Sequence, residues 1–102
     1  MSPTQRSLKY LRDLGYHVEI VEHWNNWTKR RHDLWQFADL LAIRKGEVLA
    51  VQVTSGTNVS ARVKKIADSE IAPLVREAGI RIEVWGWRKL KSGWTPKIID
   101  LS

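Results

Sequence analysis

The apolar positions of this chain change period several times, and each change marks an element. Leu8, Leu11 and Leu14 recur at helical spacing. Ahead of them stands Ser2-Pro3-Thr4-Gln5, in which Ser2 can cap, Pro3 suits the first helical position and Gln5 completes a capping box. Gly15 is a natural terminator. Tyr16, Val18 and Ile20 then alternate with His17, Glu19 and Val21, which predicts a strand. Residues 23–34, HWNNWTKRRHDL, follow neither period and predict a loop with Lys29-Arg30-Arg31-His32 as its basic tip.

Residues 37–56, FADLLAIRKGEVLAVQVTSG, read as two apolar strands around a turn at Lys45-Gly46. After them Val59, Val63, Ile66 and Ala67 mark a helix, with Asn58 or Ser60 as its cap. Pro73 restarts a short helical segment that ends at Gly79. Ile80, Ile82 and Val84 alternate as a strand, and 94–101 reads as a weaker closing strand after Ser92-Gly93. The order is α-β-β-β-α-β, with a closing β: an α/β or α+β domain with a mixed sheet and helices on its faces.

The hairpin holds two polar residues that need a reason. If Lys45 and Gly46 form a two-residue turn, paired positions sum to 91, so Arg44 faces Glu47, Ala42 faces Leu49 and Asp39 faces Gln52. Directly opposed side chains share a face, and Phe37 and Thr54 flank the same spot. A three-residue bulged turn would separate them. An acid among apolar neighbours is expensive unless its desolvation is offset. A divalent cation would do this, with the Gln52 amide oxygen as a second hard ligand. So would a plain Asp39–Gln52 hydrogen bond inside the sheet.

Composition narrows the partner. The 102 residues make one domain, 1–102, with room for a single modest core. Absence of Cys excludes disulfides and Cys-based metal sites, and an intracellular, cytoplasmic setting is the simpler fit. No apolar run approaches the ~20 residues of a membrane span, and the first residues lack the apolar core of a signal peptide. Lys and Arg total 17 against 11 Asp and Glu, a formal charge of +6, which suggests a polyanionic partner and disfavours a DNA mimic. Lys29, Arg30, Arg31, Arg62, Lys64 and Lys65 are the clustered cations expected to contact DNA phosphates. Of six Trp, Trp24, Trp27 and Trp35 lie around the basic stretch, where they either pack the loop or stack on bases. The three His share no metal-like spacing.

An acid in one strand, followed about a dozen residues later by an acid-x-Lys triplet on the antiparallel neighbour, is the signature of the PD-(D/E)XK nuclease superfamily. This chain resembles that superfamily, with its restriction-endonuclease-like core, over residues 4–87 in element order. The stretch RHDLWQFADLLAIRKGEVLAVQVTS looks in particular like small phage-encoded members related to Holliday-junction resolvases and the VRR-NUC group. The resemblance implies a metal-dependent DNA endonuclease of phage type, with branched DNA among its substrates and Mg²⁺ or Mn²⁺ as its metal. It makes Asp39 the first metal-binding acid, puts Gln52 where the second acid belongs, and makes the Val53 carbonyl a backbone ligand. Thr54 stands where the lysine belongs, and Gln5 stands where resolvase-like members often use a glutamate.

These departures leave one formal negative charge at the expected centre. Glu22 and Asp33 are the acids that could compensate, or else a solvated strand end and a loop cap that pairs with Arg30 or Arg31. For the missing lysine, a buried helix face of Val59, Val63, Ile66 and Ala67 puts Lys64 and Arg62 on the flanks and turns Lys65 away. Lys64 is then the expected catalytic substitute, unless all three cations are solvated or touch phosphates. Resolvase-like relatives act as dimers, so a homodimer is an expectation of the resemblance alone. The other reading is a catalytically silent DNA-binding or interaction module on the same fold.

Overall fold

A computed structural model describes residues 1–102. Its elements are α1 (Pro3–Asp13), β1 (His17–Ile20), β2 (Glu22–Asn25), β3 (Arg30–Asp33), β4 (Leu40–Arg44), β5 (Glu47–Ser55), α2 (Val59–Ala67), α3 (Ala72–Glu77), β6 (Arg81–Leu90) and β7 (Gly93–Asp100). A 3₁₀ turn, Gly56–Asn58, leads into α2. Five strands form one mixed sheet in the order β1-β4-β5-β6-β7. Only β5 and β6 run parallel, joined by the crossover through α2 and α3. The class is therefore α+β, a mixed sheet flanked by helices. No helix is long and apolar enough to cross a membrane.

The expected α1 forms with its expected cap: the Gln5 N–H donates to Ser2 Oγ at 3.1 Å, and Pro3 occupies the first turn. Gly46 takes the positive φ that closes the β4–β5 turn, and the ladder pairs Arg44 with Glu47 and Ala42 with Leu49, the register of a two-residue turn. β4 is shorter than its apolar run suggests. It begins at Leu40, and Phe37 and Ala38 lie in a turn ahead of it.

Both faces of the sheet are covered, which is why β5 reads as an almost unbroken apolar run. Leu49, Val51 and Val53 face α1, together with Leu8, Leu11, Leu40, Trp85 and Trp87. Ala50 belongs to the opposite cluster with Phe37, Val59, Ile66, Val75, Ile82 and Val84, under α2 and α3. Gln52 and Thr54 alternate with the first set, so both point to the α2 side, and both are buried. The core tryptophans keep their indole N–H groups satisfied: Trp87 donates to Ser7 Oγ at 2.7 Å and Trp85 to Glu83 Oε1 at 2.9 Å.

The structure corrects two sequence expectations here. Residues 23–34 are not a loop but a second, two-stranded ribbon, in which β2 pairs antiparallel with β3. Its side chains are polar or exposed on both faces, so it carries no apolar alternation for periodicity to detect. Its turn is closed locally: Asn25 Oδ1 accepts the N–H groups of Trp27 and Thr28, and Lys29 adopts φ 56°. The second correction concerns α2. Val59 and Ile66 are buried, but Ala67 is exposed. The helix is thus rotated from the face drawn through Ala67, and a different lysine turns toward the β2–β3 ribbon.

Candidate metal centre and nucleic-acid surface

The β2–β3 ribbon pairs Glu22 directly with Asp33. Opposed positions in an antiparallel ladder put their side chains on one face, and like charges there repel. After β3 the chain turns back through a bridge between Leu34 and Ala38, and Trp35 and Gln36 take left-handed φ values of 55° and 66°. Both are non-glycine residues, so this turn is held in a costly conformation. It delivers Asp39 to the two ribbon acids. The carboxylates of Glu22, Asp33 and Asp39 offer oxygens that all lie within 4.8 Å of one another.

Asp39 is buried, and its Oδ2 is well occupied. Gln52 Nε2 donates to it at 2.8 Å and the Val53 N–H at 2.7 Å. The hydrogen-bonded pair between Asp39 and Gln52 thus exists, although Asp39 lies just before β4 rather than within it. Burial pushes the Asp39 carboxyl up to about 7; the Val53 N–H opposes this, while the charges of Asp33 and Glu22 and a hydrogen bond with Asp33 add to it. Gln52, 2% exposed, has its amide oxygen Oε1 without any hydrogen-bond partner. An orphaned buried acceptor carries a desolvation penalty that a ligand would offset.

Two cations flank the acids. Arg31 Nη1 lies 3.2 Å from Glu22 Oε1, and Lys65 Nζ lies 3.7 Å from Asp33 Oδ2. Lys65 therefore turns toward the acids rather than away. Lys64 instead pairs with Asp68 at 2.8 Å along the exposed side of α2, and does not reach back toward Thr54. The reason is the helix rotation: with Ala67 off the buried face, Lys65 becomes a flank residue. Thr54 is buried two residues beyond Gln52 on the same face of β5.

Of the other expected site residues, only Val53 touches this cluster, through its N–H. Gln5 is exposed on α1 and lines a groove that also contains Glu22. Lys29 and Arg30 are exposed on the ribbon, and Arg62 is half-buried on α2. Of the ribbon tryptophans, Trp27 is 95% exposed and Trp24 58%, whereas Trp35 packs near Phe37 with ring centroids 6.2 Å apart.

The residue types fit a hard divalent cation. Three carboxylates form an all-oxygen donor set of the kind Mg²⁺ and Mn²⁺ take. Sequence reasoning named Glu22 and Asp33 only as secondary acids. Their convergence depends on the ribbon, whose one readable signal was the Asn25-Asn26 turn chemistry. Comparison with known proteins gives no match: no family model, curated protein or solved structure is significantly similar to this chain.

Proposed function

We propose that this protein is a metal-dependent DNA endonuclease, and we read its sheet as a restriction-endonuclease-like core with a rearranged acidic centre. The observation that carries this reading is the convergence of the Glu22, Asp33 and Asp39 carboxylates, with the buried Gln52 amide hydrogen-bonded to Asp39. Glu22 and Asp33 take the place of the charge that Gln52 lacks. A bound Mg²⁺ or Mn²⁺ would activate water and stabilise charge on the scissile phosphate.

The chain's own groups have separable roles. Asp39, Asp33 and Glu22 would hold the cation, and Gln52 and the Val53 N–H fix the orientation of Asp39. Lys65, 3.7 Å from Asp33, takes over the role of the superfamily lysine, its ammonium stabilising developing negative charge. Lys29, Arg30 and Arg31 contact phosphates, which sets register without sequence preference. A cation held by these acids would offset their repulsion of the scissile phosphate.

A specific observation favours a second reading, a silent DNA-binding module. Asp39 Oδ2 already accepts two protein hydrogen bonds, and Glu22 and Asp33 already have cationic neighbours. Incubation with linear, flap and four-way DNA in Mg²⁺ or Mn²⁺ separates the two. Cleavage that Asp39→Asn abolishes while DNA binding persists is the expected result. Binding without cleavage of any substrate in either metal leaves the silent module.

A further inference from the structure

We propose that the groove between the start of α1 and the β2–β3 ribbon accepts an unstacked nucleobase, with Trp24 as its stacking platform. The preferred substrate is then DNA with unpaired nucleotides beside the cleaved phosphodiester, rather than continuous duplex. This rests on the nuclease reading above and specifies its substrate class.

The ribbon's alternation supplies the first argument. Glu22 pairs with Asp33, and two residues along the ladder Trp24 pairs with Arg31. Side chains two apart in a strand share a face. Trp24 and Arg31 therefore stand on the same face as the acids, ~6.6 Å further out at the usual strand rise. The Arg31–Glu22 contact at 3.2 Å spans that step directly. An indole face, a guanidinium and a metal-binding carboxylate thus follow one another in a line. A nucleotide presents base and phosphate over a comparable reach.

Glu22, Trp24 and Arg31 also wall a groove beside α1. It has a volume of about 440 Å³ and is lined by Ser2, Thr4, Gln5, Glu22, Trp24 and Arg31, among others. Glu22 belongs both to the groove wall and to the acid cluster, so the groove and the candidate metal centre share that carboxylate. Its α1 wall is polar, with hydroxyl and amide groups that can bond a base edge.

Charge and exposure select the occupant. Trp24 is 58% exposed and Trp27, at the ribbon turn, 95% exposed, on a ribbon that also displays Lys29, Arg30 and Arg31. Exposed aromatic faces interleaved with cations are the pattern by which single strands are held, bases on rings and phosphates on cations. An apolar protein partner has no use for the three cations. Paired, stacked bases in a duplex leave no ring face for Trp24.

The test uses the full chain and a labelled single strand of about a dozen nucleotides, within the usual span of single-strand sites. The comparison is a duplex of the same sequence, by fluorescence anisotropy in EDTA so that nothing is cleaved. Trp24→Ala is expected to weaken single-strand binding about tenfold, from the loss of one stacked base. Trp24→Phe should recover most of that loss, and duplex affinity should change less than twofold. Trp94→Ala, at a tryptophan that packs against Arg6 outside the groove, should change neither. Equal losses on single strand and duplex, no loss at all, or a Trp24→Phe variant as weak as Trp24→Ala would each overturn the proposal. Thermal shift with Mn²⁺ on the same variants reports the metal centre independently. A Trp24-dependent preference in a chain that neither responds to Mn²⁺ nor cleaves DNA supports the groove while removing the nuclease reading. A normal Mn²⁺ response without that preference overturns the groove alone.

Discussion

Glu22 and Asp33 stand directly opposite one another in the β2–β3 ladder, and their carboxylates converge on that of Asp39. Opposed like charges in a sheet destabilise it by up to about 1 kcal/mol. In EDTA near pH 8, Asp33→Asn should therefore raise the melting temperature slightly, and loss of the weak Lys65 contact should not reverse that sign. Wild type should gain about 2.7 kcal/mol at a Mn²⁺ concentration a hundredfold above its Kd. The Asp33→Asn variant should lose most of that gain. A Mn²⁺ response identical in wild type and Asp33→Asn would remove Asp33 from the centre.

Asp39 makes stability depend on pH in an unusual direction for a carboxylate. Its folded-state value is pushed up to about 7, above the ordinary 3.8, chiefly by burial. The folded state thus holds its proton more tightly than the unfolded chain, so the associated stability is fully present below about pH 4 and lost as pH rises through 7. Urea denaturation in EDTA should show Asp39→Asn losing less stability than wild type between pH 5 and pH 8. Parallel pH profiles for the two proteins would mean that Asp39 is already ionised at pH 5.

Lys65 and Lys64 are adjacent in sequence but differ in surroundings. Lys65 lies 3.7 Å from Asp33, whereas Lys64 is tied to Asp68 on an exposed helix face where such pairs contribute little. Under single-turnover conditions with saturating protein, Lys65→Met should slow cleavage at least tenfold, the loss of one charge-stabilising group. Lys64→Met should stay within about twofold. The reverse ranking would contradict the assignment made from α2's orientation.

The ribbon cations should act through phosphates. Each phosphate contact on duplex DNA contributes about 0.9 to the magnitude of the slope of log affinity against log salt. Arg30→Ala should lower that slope by about this amount, equally for unrelated sequences. A sequence-dependent loss would point to base contacts by Arg30 instead.

Gly86 shows how tightly α2 is seated on the sheet. A Cβ built on it would lie 2.2 Å from Val59 Cγ2, so the strand has no room for one. Gly86→Ala should destabilise by about 1–3 kcal/mol, the usual range for overpacking. Adding Val59→Ala should recover part of the loss. Simple additivity of the two changes in urea denaturation would show that the clash is relieved by movement elsewhere.

Sequence alone determined the elements whose stability is local or whose burial is periodic. The cap of α1, the two-residue turn at Lys45-Gly46, the β4–β5 register and the strand around Ile82 and Val84 were all legible, because capping, turn chemistry and alternation act within a few residues. The closeness of Asp39 and Gln52 followed from that register. Only the tertiary structure decided the rest. The β2–β3 ribbon has no buried face and hence no hydrophobic period, so apart from the turn chemistry of Asn25-Asn26 its sequence did not announce that Glu22 and Asp33 would be paired. The choice between Lys64 and Lys65 turned on whether Ala67 is buried, and a small apolar residue at a helix end is equally at home in the core or in water. Packing of α2 against β5 and β6 settled that rotation, and the rotation placed an ammonium beside Asp33.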